Sequence, residues 1–215
     1  YLTKQQRERL AADVHPLLIT RGVPGTHDLA LALTTLNALT THKRDVAIPR
    51  FNKTQDDRFP KEAWPRIKSP VDIIILEGWC VGLAAQTEKE LIHAINPLEA
   101  LQDSDGKWRQ YVNQNLATSY VKFWGLIDYM VMLQAPSFDC VYKWRLEQEE
   151  KLAARNTDLA DSKVMSPAEI LNFTQYFQRL SVQGCNTIAH SADIIFYLDY
   201  NRKISDTPVP LVTEK

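Results

Sequence analysis

Apolar residues occur along this chain in two patterns, and the two patterns predict different secondary structures. Residues 71–76 and 194–198 are short, nearly unbroken apolar runs that are rich in isoleucine. Runs of this length and composition are typical of strands that are buried on both faces of a sheet. We therefore expect both segments to be neighbouring or near-neighbouring parallel strands at the centre of the fold.

Longer segments either carry apolar residues three and four positions apart or have helical composition, and both features predict helices. These segments are residues 4–13, 107–133 and 141–155, the last of which is strongly charged. Asp28 is expected to cap another helix, and Ser166 is expected to begin one more. Strands that alternate with helices predict a three-layer α/β fold with a mostly parallel sheet, which binds ligands at the carboxyl ends of its strands.

Length, composition and charge narrow the class of protein. The chain has 215 residues, enough to bury one sizeable core, so we expect residues 1–215 to form a single domain. Apolar residues make up 45% and charged residues 24%, which is typical of a globular protein. The formal net charge of -1 provides no field that would attract nucleic acid or an anionic membrane surface. Neither nucleic acid nor a membrane is expected as a partner.

The cysteines indicate the redox environment. Cys80, Cys140 and Cys185 are far apart in the sequence and form no C-x-x-C pair. Their spacing indicates neither a disulfide framework nor a zinc site, and it fits a reducing compartment. No apolar stretch is long enough to span a bilayer, and residues 1–10 are polar and charged. These features predict a cytoplasmic protein.

Three sequence blocks, taken in order, carry a family signature. They are residues 21–28 (RGVPGTHD), 48–54 (IPRFNKT) and 72–79 (DIIILEGW). Together they resemble the P-loop small-molecule kinases of the glycerate kinase type, which are related to uridine kinase, phosphoribulokinase and pantothenate kinase. Residues 142–147 (YKWRLE) and 192–199 (ADIIFYLD) are similar to the lid helix and the last core strand of that family.

The resemblance implies a function and a fold. The function is ATP- and Mg²⁺-dependent transfer of the γ-phosphoryl group to a hydroxyl of a small metabolite, with a glycerate-like hydroxy acid or a polyol as acceptor. The fold is that of a P-loop kinase, in which residues 141–165 form a lid segment.

One family motif does not occur in these residues. The phosphate-binding loop G-x-x-x-x-G-K-[ST], which holds the ATP phosphates in the family, is absent from the sequence. In relatives this loop and the first strand would precede Tyr1, so we expect both to be absent from this chain. The alternative function is therefore a non-catalytic binding or regulatory protein that retains only the acceptor half of a kinase fold.

Glu77 is the candidate for metal chemistry. It follows directly after the apolar run 71–76, at the end of the predicted strand. Magnesium keeps several waters and takes few carboxylates, so Glu77 can orient a magnesium-bound water. The alternative is a carboxylate that caps a neighbouring backbone. We favour the magnesium role, because a charged residue after a buried strand needs a partner.

The first block supplies polar groups where a tight loop enters a helix. At such a place backbone N–H groups and short polar side chains can hold a small polyol or acid. Thr26, His27 and Asp28 are the candidates, although Asp28 could equally act only as a helix cap and His27 could be solvated. The resemblance favours substrate binding by all three.

Basic residues around the second block are candidates for binding a carboxylate or phosphate. They are Arg50, Lys53 and Arg58, and without the resemblance Lys53 and Arg58 would be interpreted as solvated. Arg21 could hold the substrate or anchor its own loop. The resemblance also implies that Arg145 is a lid arginine that stabilises developing charge on the phosphates. The alternative for Arg145 is a solvated helix face with intrahelical ion pairs.

Overall fold

A computed structural model describes residues 1–41, 44–155 and 164–205 of the chain. Its contacts group the chain into two compact units. The first unit contains Tyr1–Ala94 and Leu101–Ile127, and the second contains Ile95–Ala100 and Asp128–Lys215. The single domain expected over residues 1–215 stays a prediction, and the two units are described separately.

The described elements are short strands and helices of mixed length. In chain order they are α1 (Lys4–Asp13), α2 (Leu29–Thr41), β1 (Val46–Ala47), β2 (Phe51–Asn52), β3 (Asp57–Arg58), β4 (Arg66–Ile67), α3 (Glu88–Leu91), α4 (Pro97–Gln102), α5 (Lys107–Ala117), α6 (Ser119–Trp124), β5 (Val131–Gln134), α7 (Asp139–Arg155), α8 (Pro167–Thr187), β6 (Ile194–Leu198) and β7 (Ile204–Ser205). Short 3₁₀ turns cover Pro16–Ile19, Lys61–Ala63 and Ile188–His190. Among the helices described, none has both the length and the apolar character needed to cross a membrane.

The helix starts expected from the sequence are confirmed. The Asp28 carboxylate accepts the Leu31 N–H at 3.0 Å and so caps α2. At α8 the Ser166 hydroxyl accepts the Glu169 N–H at 3.3 Å, while the Glu169 carboxylate accepts the Ser166 N–H at 2.8 Å. This reciprocal capping box satisfies two backbone donors that a helix terminus otherwise leaves unpaired.

The expected helix over residues 107–133 is wrong in its second half. The segment instead forms α5, α6 and strand β5. Thr118 leaves the helical conformation at φ -122° and ψ -79°, and α6 ends at Gly125. The apolar stripe is buried only as far as α6 extends, at Trp108, Val112, Leu116, Tyr120 and Phe123.

The expected central strand over residues 71–76 is also wrong. No strand in the described part of the chain pairs with it. The Val71 N–H donates to Leu39 O at 2.9 Å, but beyond that point Ile73 is 80% exposed and Ile75 is 89% exposed. A strand is stabilised by pairing with a neighbour, so strand composition alone did not produce one here.

The second unit contains a pair of parallel strands. Strands β5 and β6 are parallel, with Val131 opposite Ile194 and Leu133 opposite Phe196. Strand β7 pairs with β6 in the antiparallel direction. In the described residues the pairs β1–β4 and β2–β3 are also antiparallel, so the expectation of a mostly parallel sheet is not met there. The strand expected over residues 194–198 is confirmed, but its side chains are exposed or half-buried rather than fully buried.

Helices α7 and α8 pack against each other in the second unit. The helix expected over residues 141–155 is confirmed, since α7 begins at Asp139. The expected lid segment 141–165 lies partly outside the described residues, because residues 156–163 are not described. A buried ion pair between Glu99 Oε2 and Arg179 Nη2, 2.6 Å apart, ties the start of this unit to α8.

Candidate functional site

Residues 21–27, called the glycine loop below, form a tightly packed turn between the Pro16–Ile19 turn and α2. Gly22 and Gly25 have positive φ angles of 115° and 93°. A Cβ atom built on Gly25 would lie 2.5 Å from Tyr111 Cε1 and 2.9 Å from Asn115 Nδ2. Both the backbone angle and the contact with α5 therefore require glycine at position 25.

Thr26 holds this loop together with its side chain. Its side chain is 0% exposed. Its hydroxyl accepts the Gly22 N–H at 2.8 Å and donates to Val23 O at 2.7 Å. The hydroxyl is therefore enclosed and already satisfied, and substrate binding by Thr26 stays a prediction.

His27 lies against the aromatic side chains of Tyr1 and Tyr120. Its ring centroid is 5.2 Å from that of Tyr1 and 6.0 Å from that of Tyr120. The Nδ1 atom of His27 lies 2.5 Å from the Tyr120 hydroxyl, which also accepts the Gly25 N–H at 3.1 Å. Burial lowers the pKa of His27 to about 4, so the ring is neutral near pH 7. The expectation that His27 could be simply solvated is wrong.

Asp28 uses its two carboxylate oxygens for different partners. Oδ1 caps α2, and Oδ2 accepts from Arg58 Nη2 at 2.8 Å. The expected helix cap is therefore confirmed, and substrate binding by Asp28 stays a prediction. The Arg58 guanidinium also donates to Gln6 Oε1 at 3.0 Å, which links β3 to α1.

Asp56 joins Arg21 to a buried arginine of α1. Its Oδ1 forms an ion pair with Arg21, and its Oδ2 accepts from Arg7 Nη2 at 2.8 Å. Arg7 also donates to Ile19 O at 2.6 Å. Asp56 has a φ angle of 55°, an uncommon conformation for a residue other than glycine, at the turn that connects β2 and β3. Arg21 therefore anchors its loop as well as lying in the region of the candidate site.

Arg50 and Lys53 are the candidates with accessible charge. Both side chains are exposed, and within the described residues neither forms a hydrogen bond or ion pair. Arg50 precedes Phe51, whose ring lies 5.4 Å from the Arg21 guanidinium carbon. Arg50 and Lys53 therefore keep their charges available for an anionic ligand.

Glu77 lies close in sequence to a contact between the first and third blocks. Trp79 Nε1 donates to Gly22 O at 2.8 Å and attaches the end of residues 72–79 to the glycine loop. Glu77 itself is exposed, and its carboxylate has no hydrogen bond or ion pair among the described residues. The premise that Glu77 follows a buried strand is wrong, since residues 73–76 are exposed, whereas an accessible carboxylate fits a hydrated Mg²⁺.

Arg145 lies on α7 in the second unit and is already engaged there. It forms an ion pair with Glu149, one helical turn away, and donates to Gln148 Oε1 at 2.9 Å. Its guanidinium carbon lies 5.9 Å from the ring centroid of Phe173. Glu149 is buried and also accepts the Met165 N–H at 3.2 Å. Intrahelical ion pairs do occur on this helix, between Arg145 and Glu149 and between Lys151 and Glu147. The sequence suggested Lys143 as the partner of Glu147, but among the described residues Glu147 pairs with Lys151 and Arg202 instead.

His15, Asp103 and Asp105 could together hold a metal ion by distance alone, since their ligand atoms lie within 4.8 Å of one another. However, His15 Nδ1 already accepts the Leu17 N–H at 3.2 Å. Asp103 accepts the Trp108 N–H at 2.7 Å and forms an ion pair with Arg109 at 2.9 Å. Because these groups are used within the fold, we interpret the cluster as structural.

Sequence reasoning missed three residues that shape the candidate site. Arg7, Asp56 and Tyr120 contact the glycine loop or its neighbours, but their partners lie 12 to 95 positions away in sequence. In the sequence, Tyr120 is only one of the apolar positions spaced three and four residues apart over residues 107–133. The signal that could have been used is chemical, since a buried tyrosine hydroxyl needs a hydrogen-bond partner.

Comparisons with known proteins agree on one group of relatives, although no protein-family model matches the chain. The chain is 30% identical to the chloroplastic D-glycerate 3-kinase of Arabidopsis thaliana over 75% of its own length. That match spans 33% of the plant protein, so the chain covers about a third of this relative. It is also 30% identical to the uncharacterized kinase mug58 of Schizosaccharomyces pombe, over 94% of this chain and 75% of that protein.

Two solved structures are similar to the structure of this chain. D-glycerate 3-kinase from Cryptococcus neoformans var. grubii serotype A gives a TM-score of 0.77 at 25% sequence identity, covering 95% of this chain and 74% of that chain. The YGR205w protein gives a TM-score of 0.68 at 25% sequence identity, covering 96% of this chain and 73% of that chain.

Proposed function

This chain belongs to the kinase family that includes D-glycerate 3-kinase and mug58, and from this premise we propose that it acts in ATP-dependent phosphorylation of a small metabolite. The reaction transfers the γ-phosphoryl group of ATP to a hydroxyl of the acceptor. The favoured acceptor is a glycerate-like hydroxy acid, with a related polyol as the next choice. The location we propose is the cytoplasm.

One observation carries this proposal: the three sequence blocks connect within the first unit. The guanidinium carbon of Arg21 in the first block lies 5.4 Å from the ring of Phe51 in the second. Trp79 of the third block donates to Gly22 of the first. Arg58, just after the second block, forms an ion pair with Asp28 of the first. Segments that are far apart in the sequence thus gather polar and charged groups around the glycine loop, which supports a common binding site.

We assign acceptor binding to the glycine loop and the basic residues beside it. Arg21, Arg50, Lys53 and Arg58 supply positive charge for a carboxylate, and Asp28 orients Arg58 through their ion pair. His27 contributes a neutral, partly buried ring. Thr26 forms the loop on which His27 is held.

We assign the metal site to Glu77. Its carboxylate is exposed and lies two residues before Trp79, which attaches this segment to the glycine loop. Oxygen ligands of this kind suit Mg²⁺, which would neutralise charge on the phosphates when bound. Glu77 would hold or orient a water of that ion.

The remaining assignments concern the phosphate donor. The 215 residues contain no G-x-x-x-x-G-K-[ST] motif, so we propose that the phosphate-binding loop comes from a segment outside them. Arg145 is the proposed lid arginine. To contact a phosphate it would have to leave its ion pair with Glu149.

Release of ADP tests the proposal. The 215-residue chain and a longer form that carries the phosphate-binding loop are each assayed with ATP, Mg²⁺ and a panel of hydroxy acids and polyols. We expect turnover only from the longer form, because removing even one preorganised donor from a site of developing charge commonly costs about 100-fold or more in rate. Turnover by the short form contradicts the assignment of the loop.

The same assay separates the kinase from a second candidate function, a binding or regulatory protein. The absence of the phosphate-loop motif in these residues favours that candidate. It predicts acceptor binding without ADP release in both forms. A folded, ATP-binding longer form that phosphorylates no acceptor on the panel would contradict the kinase proposal.

A further inference from the structure

The hydroxyl of Tyr120 serves two groups of the glycine loop at once. Tyr120 lies on α6 and is 1% exposed. Its oxygen accepts the Gly25 N–H at 3.1 Å and lies 2.5 Å from His27 Nδ1. These contacts connect α6 to the loop that carries His27.

The positions of the hydrogen atoms follow from satisfying each buried group. The Gly25 N–H must donate, so the Tyr120 oxygen accepts it. The phenol proton then needs its own acceptor, since an unsatisfied buried donor is costly and rare. His27 Nδ1 is an acceptor at hydrogen-bond distance, so Tyr120 donates to it. Burial also raises the pKa of Tyr120, which keeps this proton on the phenol.

His27 is thereby limited to one neutral form. A neutral imidazole carries one proton, and with Nδ1 accepting, that proton is on Nε2. Burial lowers the pKa of His27 to about 4. The adjacent Asp28 carboxylate is used by α2 and Arg58. The ring therefore presents a hydrogen-bond donor at Nε2.

We propose that Tyr120 is a positioning residue that holds His27 in the Nε2–H form, so that His27 donates a hydrogen bond to an oxygen of the acceptor and does not act as a base. This inference rests on the proposed function, in which His27 belongs to the acceptor site. It specifies the acceptor further: the group beside His27 is a hydroxyl or carboxylate oxygen. The positive charge for a carboxylate comes from the neighbouring arginines.

Nitrogen-15 NMR of the histidine rings tests the proton position without any substrate. His27 is assigned from the signal lost in His27→Gln. We expect a protonated Nε2, an unprotonated Nδ1 and no titration between pH 8 and pH 5. A protonated Nδ1 in the unmodified protein would overturn the proposal.

Removing the Tyr120 hydroxyl should change both the proton position and the pKa of His27. In Tyr120→Phe we expect a mixture of the two neutral forms and a higher pKa for His27, because a hydrogen bond to Nδ1 favours the neutral ring. Tyr111→Phe is the matched control, since Tyr111 also lies beside Gly25 and its hydroxyl makes no hydrogen bond to His27. Equal His27 titration in the two variants would contradict the positioning role.

Binding of D-glycerate to the longer form tests the consequence for the acceptor. We expect Tyr120→Phe to raise the Kd about twofold for an even mixture of the two neutral forms, because only the fraction of His27 in the Nε2–H form can donate to the acceptor. Thermal unfolding shows whether that variant is folded. If it is not, His27→Gln and His27→Asn decide, because a glutamine amide reaches the Nε2 position and an asparagine amide only the Nδ1 position.

The two histidine variants should differ in their affinity for D-glycerate. His27→Gln should keep most of the affinity, and His27→Asn should lose about tenfold or more. The reverse order, or equal affinity, would overturn the donor role of Nε2. If the unmodified longer form binds no acceptor on the panel, the proposed function fails, whereas the NMR result still decides how Tyr120 acts on His27.

Discussion

Gly25 shows how closely the candidate site is packed at the level of single residues. Its φ angle is 93°, and a Cβ there would approach Tyr111 Cε1 to 2.5 Å. Its N–H also donates to Tyr120. The position of His27, two residues further on, therefore depends on a side chain being absent at position 25.

We expect Gly25→Ala to destabilise the protein by about 1–3 kcal/mol, because both the backbone angle and the contact oppose a Cβ. Urea unfolding measures the change. Gly125→Ala is the matched control: Gly125 has an ordinary φ of -65°, and the nearest neighbour of its Cβ would be Val121 O at 3.4 Å. It should be neutral or slightly stabilising. Equal losses in both variants would mean that the glycine loop is not specially constrained.

Glu77 is a second case in which one residue matters, but its substitution is expected to change the rate of phosphoryl transfer rather than stability. If the carboxylate acts through the metal, its contribution is largest in the transition state. In the longer form we expect Glu77→Gln to lower kcat about 100-fold or more and to change the acceptor Kd by less than about threefold. Steady-state kinetics and calorimetry measure the two quantities. Glu62→Gln, another exposed carboxylate of the first unit, is the control and should change neither. Equal effects on kcat and Kd would indicate acceptor binding instead.

At the scale of elements, helix α8 depends on a capping box that is local in sequence. Ser166→Ala removes the side-chain acceptor for the Glu169 N–H, and we expect a loss of about 1 kcal/mol in the free energy of unfolding. Ser181→Ala, within the same helix, is the control and should be neutral or slightly stabilising, since alanine is the better helix former. Chemical denaturation followed by circular dichroism compares them. A loss in Ser181→Ala as large as in Ser166→Ala would contradict the capping role.

The elements predicted correctly from sequence are those whose signals are local. The caps at Asp28 and Ser166 lie within three residues of their partners. Strand formation is not local: residues 71–76 and 194–198 are both short apolar runs rich in isoleucine, but among the described residues only the second run lies beside a strand, β5. Strand β5 itself was missed, because its apolar residues continued the three- and four-residue spacing of the preceding helices.

The candidate site shows the same difference between contacts that are local in sequence and contacts that are not. The sequence blocks and the basic residues around them identified Arg21, His27, Asp28 and Arg58, and the structure connects Arg58 to Asp28. The sequence did not identify Asp56 as the partner of Arg21, nor Tyr120 as the partner of His27, since these pairs are separated by 35 and 93 positions. Pairing over such distances is decided by the fold, and a single sequence contains no direct signal for it.

At the scale of the whole molecule, the apolar surface that remains exposed needs an explanation. Ile73 and Ile75 are almost fully exposed in the first unit, and Leu133 of β5 is 64% exposed in the second. Exposed apolar side chains are unfavourable in water, and an extended segment with no paired neighbour leaves its backbone N–H and C=O groups available to another strand. A segment that carries the proposed phosphate-binding loop and its strand would supply such a neighbour.

Hydrogen exchange tests this explanation directly. In the 215-residue chain we expect the amides of residues 73–76 to exchange rapidly, since no described strand pairs with them. In the longer form they should exchange about 100-fold more slowly, because a ladder hydrogen bond must open before exchange. The amides of β6 are the control: β6 already pairs with β5 and β7, so its rates should be similar in both forms. Rapid exchange at residues 73–76 in a longer form that turns over ATP would show that the phosphate-loop segment binds elsewhere, and the exposed isoleucines would then need another partner.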